Sequence, residues 1–361
     1  MVGRRALDNQ QASSAPAPAG RIASLDTLRV AAMGMVVCIH TAPFYNVPDE
    51  RLYIAGRWFI HLCRIAIPFF FLTSGYLFGR SVKQGRRSPA ALRARLRRLG
   101  IAFGFWAGVY ILHPGLRAAF AQAEVAPFFR SLNGFLNWAA ANPVTLLLEG
   151  PRVHLWFLVS LLISLSLLGG LVYAGCSRRT LLVLAGALYV VFLFVGGPYE
   201  VTPLGVKTGF NPRNGPCFSA LFVFTGYALA SARLPDKRSI AILFAAGFGI
   251  HLLEGILLRR VWHTDFAAYD FFVGTVPWSV GAFMAALRLP NLGSGTVWPR
   301  IGRYMLGVYG AHMLFVEYLY GGYDWIGLYA FQVLYPVMVF LFSLALAYAL
   351  ALNRWTRPTA C

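Results

Sequence analysis

Arg29 and His40 lie in the first long apolar stretch of the chain, where charged and titratable side chains are unexpected. At about 100° per residue, eleven helical positions bring His40 to within about 20° of the helix face that carries Arg29. A rise of about 1.5 Å per residue separates the two positions by about 16 Å along the axis. Asp26, three residues before Arg29, can form an ion pair with it. The spacing predicts a paired arginine and a distant histidine on one helix face.

These residue types suit the transfer of a group from a long anionic donor. An arginine binds phosphate, and a histidine that titrates near neutral pH can act as a general base on an acceptor hydroxyl. Coenzyme A carries phosphates at one end and its thiol at the other, so an acyl-CoA could span the distance from Arg29 to His40. In the alternative interpretation, Asp26 and Arg29 anchor the helix at a membrane interface and His40 bonds to a neighbouring helix.

A run of basic residues precedes the third apolar stretch. Within it, Arg95 and Arg98 are three residues apart, so they share a helix face and could bind the phosphates of the cosubstrate. The run is equally typical of a cytosolic topology signal that contacts anionic lipids, and both interpretations can hold. Its members are Arg80, Lys83, Arg86, Arg87, Arg93, Arg95, Arg97 and Arg98.

The second apolar stretch contains the sequence PFFFLTSGY at residues 68–76. We expect its proline, two hydroxyls and glycine to interrupt the helix beside a cavity. Ser74 is then a cavity-wall residue that contacts the cosubstrate or, alternatively, an interhelical contact.

Among the ionisable residues within apolar stretches, where a charge is costly, we take four more as candidate functional residues. His312 is a candidate for the cavity, in contact with substrate. The other three are Arg64, Glu254 and Glu317.

Polar and aromatic residues cluster where the fourth and sixth apolar stretches begin. Glu149, His154 and Arg213 could hold an acceptor sugar, with the indole of Trp156 as a stacking surface. The alternative is that these residues anchor the helices at the membrane interface.

The composition is that of an integral membrane protein, because 58% of the residues are hydrophobic and only 12% are charged. A soluble domain has about twice that charged fraction. The net charge of +19 does not indicate a nucleic-acid partner, since the basic residues flank apolar stretches. The five cysteines lack metal-site spacing, so no metal is predicted.

We predict an all-α polytopic fold with about ten transmembrane helices. The predicted helices lie near residues 27–46, 55–79, 97–113, 153–173, 180–196, 215–232, 239–258, 269–288, 301–321 and 326–352.

The distribution of basic residues predicts the orientation of these spans. With ten alternating spans and both termini in the cytosol, the cytosolic connections hold most of the basic residues and few acidic ones. Residues 114–152, between the third and fourth spans, are expected to form amphipathic helices on the outer surface. Residues 1–20 are predicted to be a flexible cytosolic tail, residues 21–352 one membrane domain, and residues 353–361 a short cytosolic tail.

The motifs, in their order and spacing, resemble the acyltransferase 3 family of membrane acyltransferases over about residues 21–352. The Arg213-Asn214-Gly215 element, together with the lack of an attached extra domain, is similar to the polysaccharide O-acetyltransferase-like subgroup. The motifs are LDTLR at residues 25–29 with His40, PFFFLTSGY at 68–76, Arg95-x-x-Arg98, HLWFL at 154–158 and GVYxxH at 307–312.

The resemblance implies a membrane O-acyltransferase that moves an acyl group from cytosolic acyl-CoA, most simply acetyl-CoA, to a carbohydrate. It implies a catalytic role for Arg29 and His40 and a cosubstrate role for Arg95 and Arg98. We assign Asp26 to the same catalytic group because it positions Arg29. The expected acceptor is a hydroxyl of an exopolysaccharide, an O-antigen or a lipid-linked sugar at the cytoplasmic (inner) membrane, and succinyl transfer is an alternative.

No permanently bound cofactor is expected. Membrane lipids are expected partners, and the sequence is also compatible with a homo-oligomer. A transporter or flippase of lipid-linked sugars is the alternative from another functional class, because it would also need polar groups within its spans. Such transporters usually contain paired broken helices in two related halves, a pattern that the sequence does not suggest. A structural or signalling membrane protein is a further alternative, which the single-face pair of Arg29 and His40 disfavours.

Overall fold

The computed structural model describes residues 22–85 and 89–361, and this part of the chain is predominantly helical. The predicted tail of residues 1–20 lies outside the described residues, as do Arg21 and the Arg86 and Arg87 of the basic run. The longer helices are α1 (Ala23–Thr41), α2 (Glu50–Cys63), α3 (Ala66–Lys83), α4 (Pro89–Gln122), α5 (Ala126–Ala141), α6 (Pro143–Glu149), α7 (Trp156–Tyr173), α8 (Arg178–Phe194), α9 (Pro216–Leu229), α10 (Lys237–Val261), α11 (Thr275–Arg288), α12 (Met305–Leu319) and α13 (Leu328–Leu352).

Every predicted span overlaps one of these helices, which confirms the helical, multi-pass architecture. Among the described residues, six helical segments are long and apolar enough to cross a membrane: α1, α2 with α3, α4, α7 with the short turn before it, α10 and α13. Helix α9 is apolar but shorter. The count of ten spans and the side of the membrane on which each connection lies remain predictions.

The outward faces of several helices are strongly apolar. In the most apolar 18-residue stretch of α13, only 22% of the residues are buried. Its Val333 and Leu341 are each 56% exposed, and Val190 of α8 is 54% exposed. Soluble proteins seldom expose continuous apolar surface of this kind, so these faces fit contact with lipid.

The prediction of an interrupted helix at residues 68–76 is wrong. Helix α3 continues through this segment, and the break falls instead at Arg64–Ile65, between α2 and α3. Pro68 occupies the first turn of α3, where its missing N–H costs no intrahelical hydrogen bond. The hydroxyls of Thr73 and Ser74 donate to the carbonyls four residues earlier, at 2.7 and 2.8 Å. These bonds leave the helix intact.

Glycines allow α3 and α9 to pack backbone against backbone. A Cβ atom added to Gly75 of α3 would overlap the carbonyl oxygen of Val223 in α9. Reciprocally, a Cβ added to Gly226 of α9 would overlap the carbonyl oxygen of Leu72 in α3. Small residues at such crossings bring membrane helices close together. This contact holds α3 in the position from which Ser74 reaches the cavity described below.

The segment between the third and fourth predicted spans is helical, as expected. Helix α4 extends to Gln122, and its 34 residues reach about 51 Å, which exceeds a bilayer core of about 30 Å. Helix α5 is largely exposed and returns along α4, where Phe128 packs against Gly115. The location of α5 and α6 on the outer surface remains a prediction.

Residues 353–361 include a helical turn, Arg357–Ala360, that packs into the bundle. Thr359 and Ala360 are 2% and 0% exposed, and the indole N–H of Trp106 donates to the Thr359 carbonyl at 3.3 Å. The segment predicted as a short tail therefore contributes to packing against α4, and its cytosolic location remains a prediction.

Candidate active site

A cavity of about 520 Å³ lies between α1, α3, α4, α7 and the start of α12. Met33 and Val36 of α1 form part of its apolar middle, between polar groups nearer the two ends of that helix. Folding thus brings together residues from distant parts of the chain. The predicted site residues that line the cavity are Asp26, Arg29, His40, Ser74, Arg95, Arg98, His154 and Trp156.

Asp26 and Arg29 form the ion pair that their spacing predicts. Arg29 Nη1 donates to Asp26 Oδ1 at 2.7 Å, and the two side chains are 24% and 8% exposed. The backbone of Gly302 packs so closely against Asp26 that any side chain at residue 302 would collide with it. This contact and the ion pair hold the Arg29 guanidinium on the cavity wall.

Arg95 and Arg98, at the start of α4, line the cavity beside the end of α3. Arg95 Nη2 donates to the Leu77 carbonyl at 3.0 Å and to the Ser81 hydroxyl at 3.3 Å, so its guanidinium is anchored to α3. The two arginines thus face the same cavity, as their spacing predicts. Whether they bind a cosubstrate remains a prediction.

Two more arginines, Arg80 and Arg303, line this cavity. The guanidinium of Arg303 lies 4.7 Å from the ring centroid of Tyr304. Sequence reasoning placed Arg80 in the basic run but missed Arg303, because a lone arginine in a short connection belongs to no motif. Several guanidinium groups around one cavity make it suited to an anion.

Three imidazole rings meet near the other end of α1. The ring centroid of His312 lies 5.0 Å from that of His40 and 5.1 Å from that of His154, and the centroids of His40 and His154 are 6.4 Å apart. His312 is fully buried and does not line the cavity. The sequence identified all three histidines, but it assigned His154 and His312 to substrate binding. Only the tertiary structure places them beside His40.

Two tyrosines that sequence reasoning did not assign hold the backbone around these histidines. The hydroxyl of Tyr309 donates to the carbonyl oxygen of His154. The hydroxyl of Tyr110 donates to the Gly310 carbonyl at 2.7 Å. Tyr309 belongs to the motif that identified His312, whereas Tyr110 is one aromatic residue among many in an apolar helix. The bonds tie the start of α7 and the middle of α4 to α12.

Trp156 lines the cavity, and polar groups support its ring from behind. The guanidinium of Arg213 lies 5.5 Å from the Trp156 ring centroid, a cation–π contact. Glu149 Oε1 lies 3.7 Å from Arg213 Nη2 and accepts a hydrogen bond from the Asn214 amide at 2.8 Å. Neither Arg213 nor Glu149 lines the cavity. Both residues are therefore placed to orient Trp156.

Asp270, which sequence reasoning missed, completes this polar group. Its carboxylate accepts a hydrogen bond from Arg64 and lies 3.3 Å from Arg213 Nη1. Arg64 also donates to the carbonyl of Ala267. A buried charge is tolerated when it is paired and hydrogen-bonded, so Asp270 explains how Arg64 is accommodated. Asp270 lies at the edge of the predicted span 269–288, where an ionisable residue is itself a signal of function, but the structure places it in the loop before α11.

Glu254 and Glu317 have structural partners outside the cavity. The Glu254 carboxylate accepts from the backbone N–H groups of Val273 and Gly274 at 2.9 and 2.8 Å, just before α11 begins. It also accepts from Tyr199, and burial together with this carboxylate raises the pKa of Tyr199. Glu317 pairs with Arg152. The cost of an intramembrane carboxylate is thus offset by caps and ion pairs.

Several membrane-crossing helices around a cavity that contains arginines and histidines define a multi-pass membrane protein with a buried candidate active site. The sequence profile of the acyltransferase 3 family, described as an acyltransferase domain, matches residues 22–352. The chain therefore belongs to the acyltransferase 3 family and is a membrane acyltransferase.

Two curated relatives share low sequence identity with this chain. An amino-acid racemase of Enterococcus faecalis is 25% identical over 241 residues, which cover 62% of this chain and 31% of the relative. A serine/alanine racemase of Enterococcus gallinarum is 26% identical over 260 residues, which cover 67% of this chain and 33% of the relative. The chain thus spans about a third of the length of these relatives. No solved structure matches the chain.

Proposed function

We propose that this protein is an O-acyltransferase of the cytoplasmic membrane. It transfers an acyl group, most simply acetyl, from acyl-CoA to a hydroxyl of an exopolysaccharide, an O-antigen or a lipid-linked sugar. The observation that carries the proposal is that Arg29 and His40, which lie on the same face of α1, line the same cavity.

The arginine-lined part of the cavity suits the phosphates of the donor. Arg29, Arg95 and Arg98 offer planar guanidinium groups that form charge-assisted hydrogen bonds with phosphate oxygens. The apolar wall around Met33 and Val36 suits an extended, uncharged pantetheine arm. That arm has to cover about 16 Å, the helical rise between Arg29 and His40.

The histidine end suits the transfer itself. His40 takes the proton of the acceptor hydroxyl, and the oxygen forms a bond to the thioester carbonyl carbon. The carbon–sulfur bond then breaks, and the CoA thiolate takes up the proton held by His40. The products are an O-acyl sugar and free CoA, so His40 returns to its neutral form.

The walls near His40 favour a small uncharged acyl group. Phe70, Phe157 and Tyr309 line the cavity together with His154 and Trp156. A succinyl group would bring a carboxylate into these aromatic surroundings at a desolvation cost. We therefore propose acetyl transfer before succinyl transfer. We assign Trp156, which lines the cavity, to the sugar acceptor, because an indole can stack on a sugar ring.

The racemase activities named for the two relatives are not included in the proposal. Identities of 25% and 26%, over about a third of each relative's length, do not carry a reaction to this chain. The proposed chemistry depends instead on the cavity and on the family to which the chain belongs.

The test is transfer of label from [14C]acetyl-CoA to glycan. Membranes that contain the protein and the native surface glycans are expected to produce acid-stable, base-labile label in the glycan fraction. Mass spectrometry of surface glycans with and without the gene identifies the acylated sugar. Absence of transfer to any glycan, together with movement of lipid-linked sugars across vesicles, would favour the transporter alternative.

A further inference from the structure

The tautomer of His312 follows from its hydrogen bond within α12. His312 Nδ1 lies 2.6 Å from the carbonyl oxygen of Tyr309. A carbonyl oxygen only accepts hydrogen bonds, so Nδ1 carries the hydrogen. In the neutral ring, Nε2 therefore holds a lone pair and is an acceptor.

That acceptor has no partner in the part of the chain that the structure describes. His312 Nε2 is buried and makes no hydrogen bond there, and the whole residue is 0% exposed. Buried polar atoms are nearly always paired in native proteins. The unpaired nitrogen therefore calls for a donor close by.

His40 is placed to supply this donor. Two imidazoles joined by an N–H···N hydrogen bond of about 3 Å have centroids about 5 Å apart, and the centroids of His40 and His312 are 5.0 Å apart. The two rings are thus at the separation that a hydrogen bond from His40 to His312 Nε2 requires. The ring centroid of His154 is also 5.1 Å from that of His312, but those two rings are nearly perpendicular, at 82°, whereas the His40 ring is tilted from His312 by 49°. The double variant described below distinguishes the two donors.

We propose that His312 is a positioning residue for the acyl transfer, whose Nε2 accepts the N–H of His40. The bond fixes the tautomer of His40, so that its second nitrogen presents a lone pair to the cavity and the acceptor hydroxyl. When His40 takes the proton of that hydroxyl, the same bond stabilises the imidazolium until the proton passes to the CoA thiolate. His312 does not line the cavity, so it acts only through His40. The inference rests on the proposed acyltransferase function.

A purely structural role would use the other nitrogen of His312. In that case the Nδ1–H bond to Tyr309 is what matters, and Nε2 is irrelevant. Asparagine and glutamine separate the two roles, because an asparagine amide replaces Nδ1 and a glutamine amide replaces Nε2. The order of activity of the two variants decides between positioning and structural support.

The experiment measures [14C]acetyl-CoA turnover by His312→Gln and His312→Asn in membranes with the native glycan acceptor. We expect His312→Gln to retain most of the turnover and His312→Asn to lose about 10- to 100-fold in kcat, with little change in KM for acetyl-CoA. The double variant His40→Ala/His312→Asn is expected to be no slower than His40→Ala alone, because both residues act as one unit.

The matched control is His251→Gln, which replaces another fully buried histidine that is absent from the cavity wall. Its turnover should equal that of the unmodified protein. Equal turnover of His312→Gln and His312→Asn, a reversed order, or a further loss in the double variant would overturn the positioning role. If the unmodified protein transferred no acyl group, the proposed function itself would fail, a result that these comparisons distinguish.

Discussion

At the scale of single residues, His40 is the group on which the proposed chemistry depends most directly. It lines the cavity and lies beside two further imidazoles. Replacement by alanine removes the base, which contributes about 10²- to 10⁴-fold to rate in comparable reactions. We expect His40→Ala to lose that factor in kcat for labelled acetyl-CoA while donor binding persists.

His113→Ala is the control for the loss of a histidine. His113 lies on α4, bonds to the hydroxyl of Tyr318 and is absent from the cavity wall. This variant should keep its turnover. Full glycan acylation by His40→Ala would remove His40 from the mechanism.

The arginines at the start of α4 permit a second residue-scale test. Arg97 and Arg98 are both exposed, but only Arg98 lines the cavity. A charge-assisted hydrogen bond is worth about 1.5–3 kcal/mol, so Arg98→Gln should raise KM for acetyl-CoA by at least about tenfold. Arg97→Gln removes the same charge from the same helix turn and should leave KM nearly unchanged. Equal effects of the two variants would assign both to general electrostatics.

At the scale of helices, the crossing of α3 and α9 supports one wall of the cavity. Gly75→Val would push α9 away from α3, because the added Cβ meets the backbone of Val223. We expect a destabilisation of about 1–3 kcal/mol or more, read as a lower thermal midpoint of the detergent-solubilised protein. Gly104→Ala, where nothing lies within 4 Å of the added Cβ, should leave the midpoint unchanged or slightly raised.

The ion pair between Arg64 and Asp270 ties the α2–α3 junction to the loop before α11. Asp270 is 8% exposed at its side chain, so Asp270→Asn leaves a buried guanidinium without its counter-charge. Removing one partner of a buried pair costs about 3–5 kcal/mol. We expect a clear fall in thermal midpoint together with reduced turnover, since Arg213 behind Trp156 also loses a partner.

Asp265→Asn is the control for this ion pair. The Asp265 side chain, which pairs with Arg57, is 44% exposed, so water can replace it and the midpoint should fall much less. Equal midpoints for the two variants would show that the Asp270 pair contributes little to stability.

At the scale of the whole molecule, the orientation in the membrane is open to direct measurement. Single cysteines are placed in a variant without native cysteines, and intact cells are treated with a membrane-impermeant maleimide. Glu124→Cys, between α4 and α5, should be labelled, and Ser294→Cys, between α11 and α12, should react only after lysis. Both positions are exposed. The opposite pattern would invert the predicted topology and place the arginine end of the cavity outside.

The sequence by itself determined the class of the protein and much of its site. Composition required a membrane environment, and helical periodicity placed Arg29 and His40 on one face of α1, because both properties depend only on local chemistry and regular geometry. The pairing of Asp26 with Arg29 and the common orientation of Arg95 and Arg98 follow from spacings of three residues in the same way.

Only the tertiary structure decided how distant parts of the chain meet. It placed His154 and His312 against His40, moved Arg213 and Glu149 behind Trp156, and supplied Asp270 as the partner of Arg64. The structure also showed that α3 continues without a break past Pro68. These contacts join residues that are far apart in the sequence. Local periodicity therefore does not indicate them, and only long-range packing brings them together.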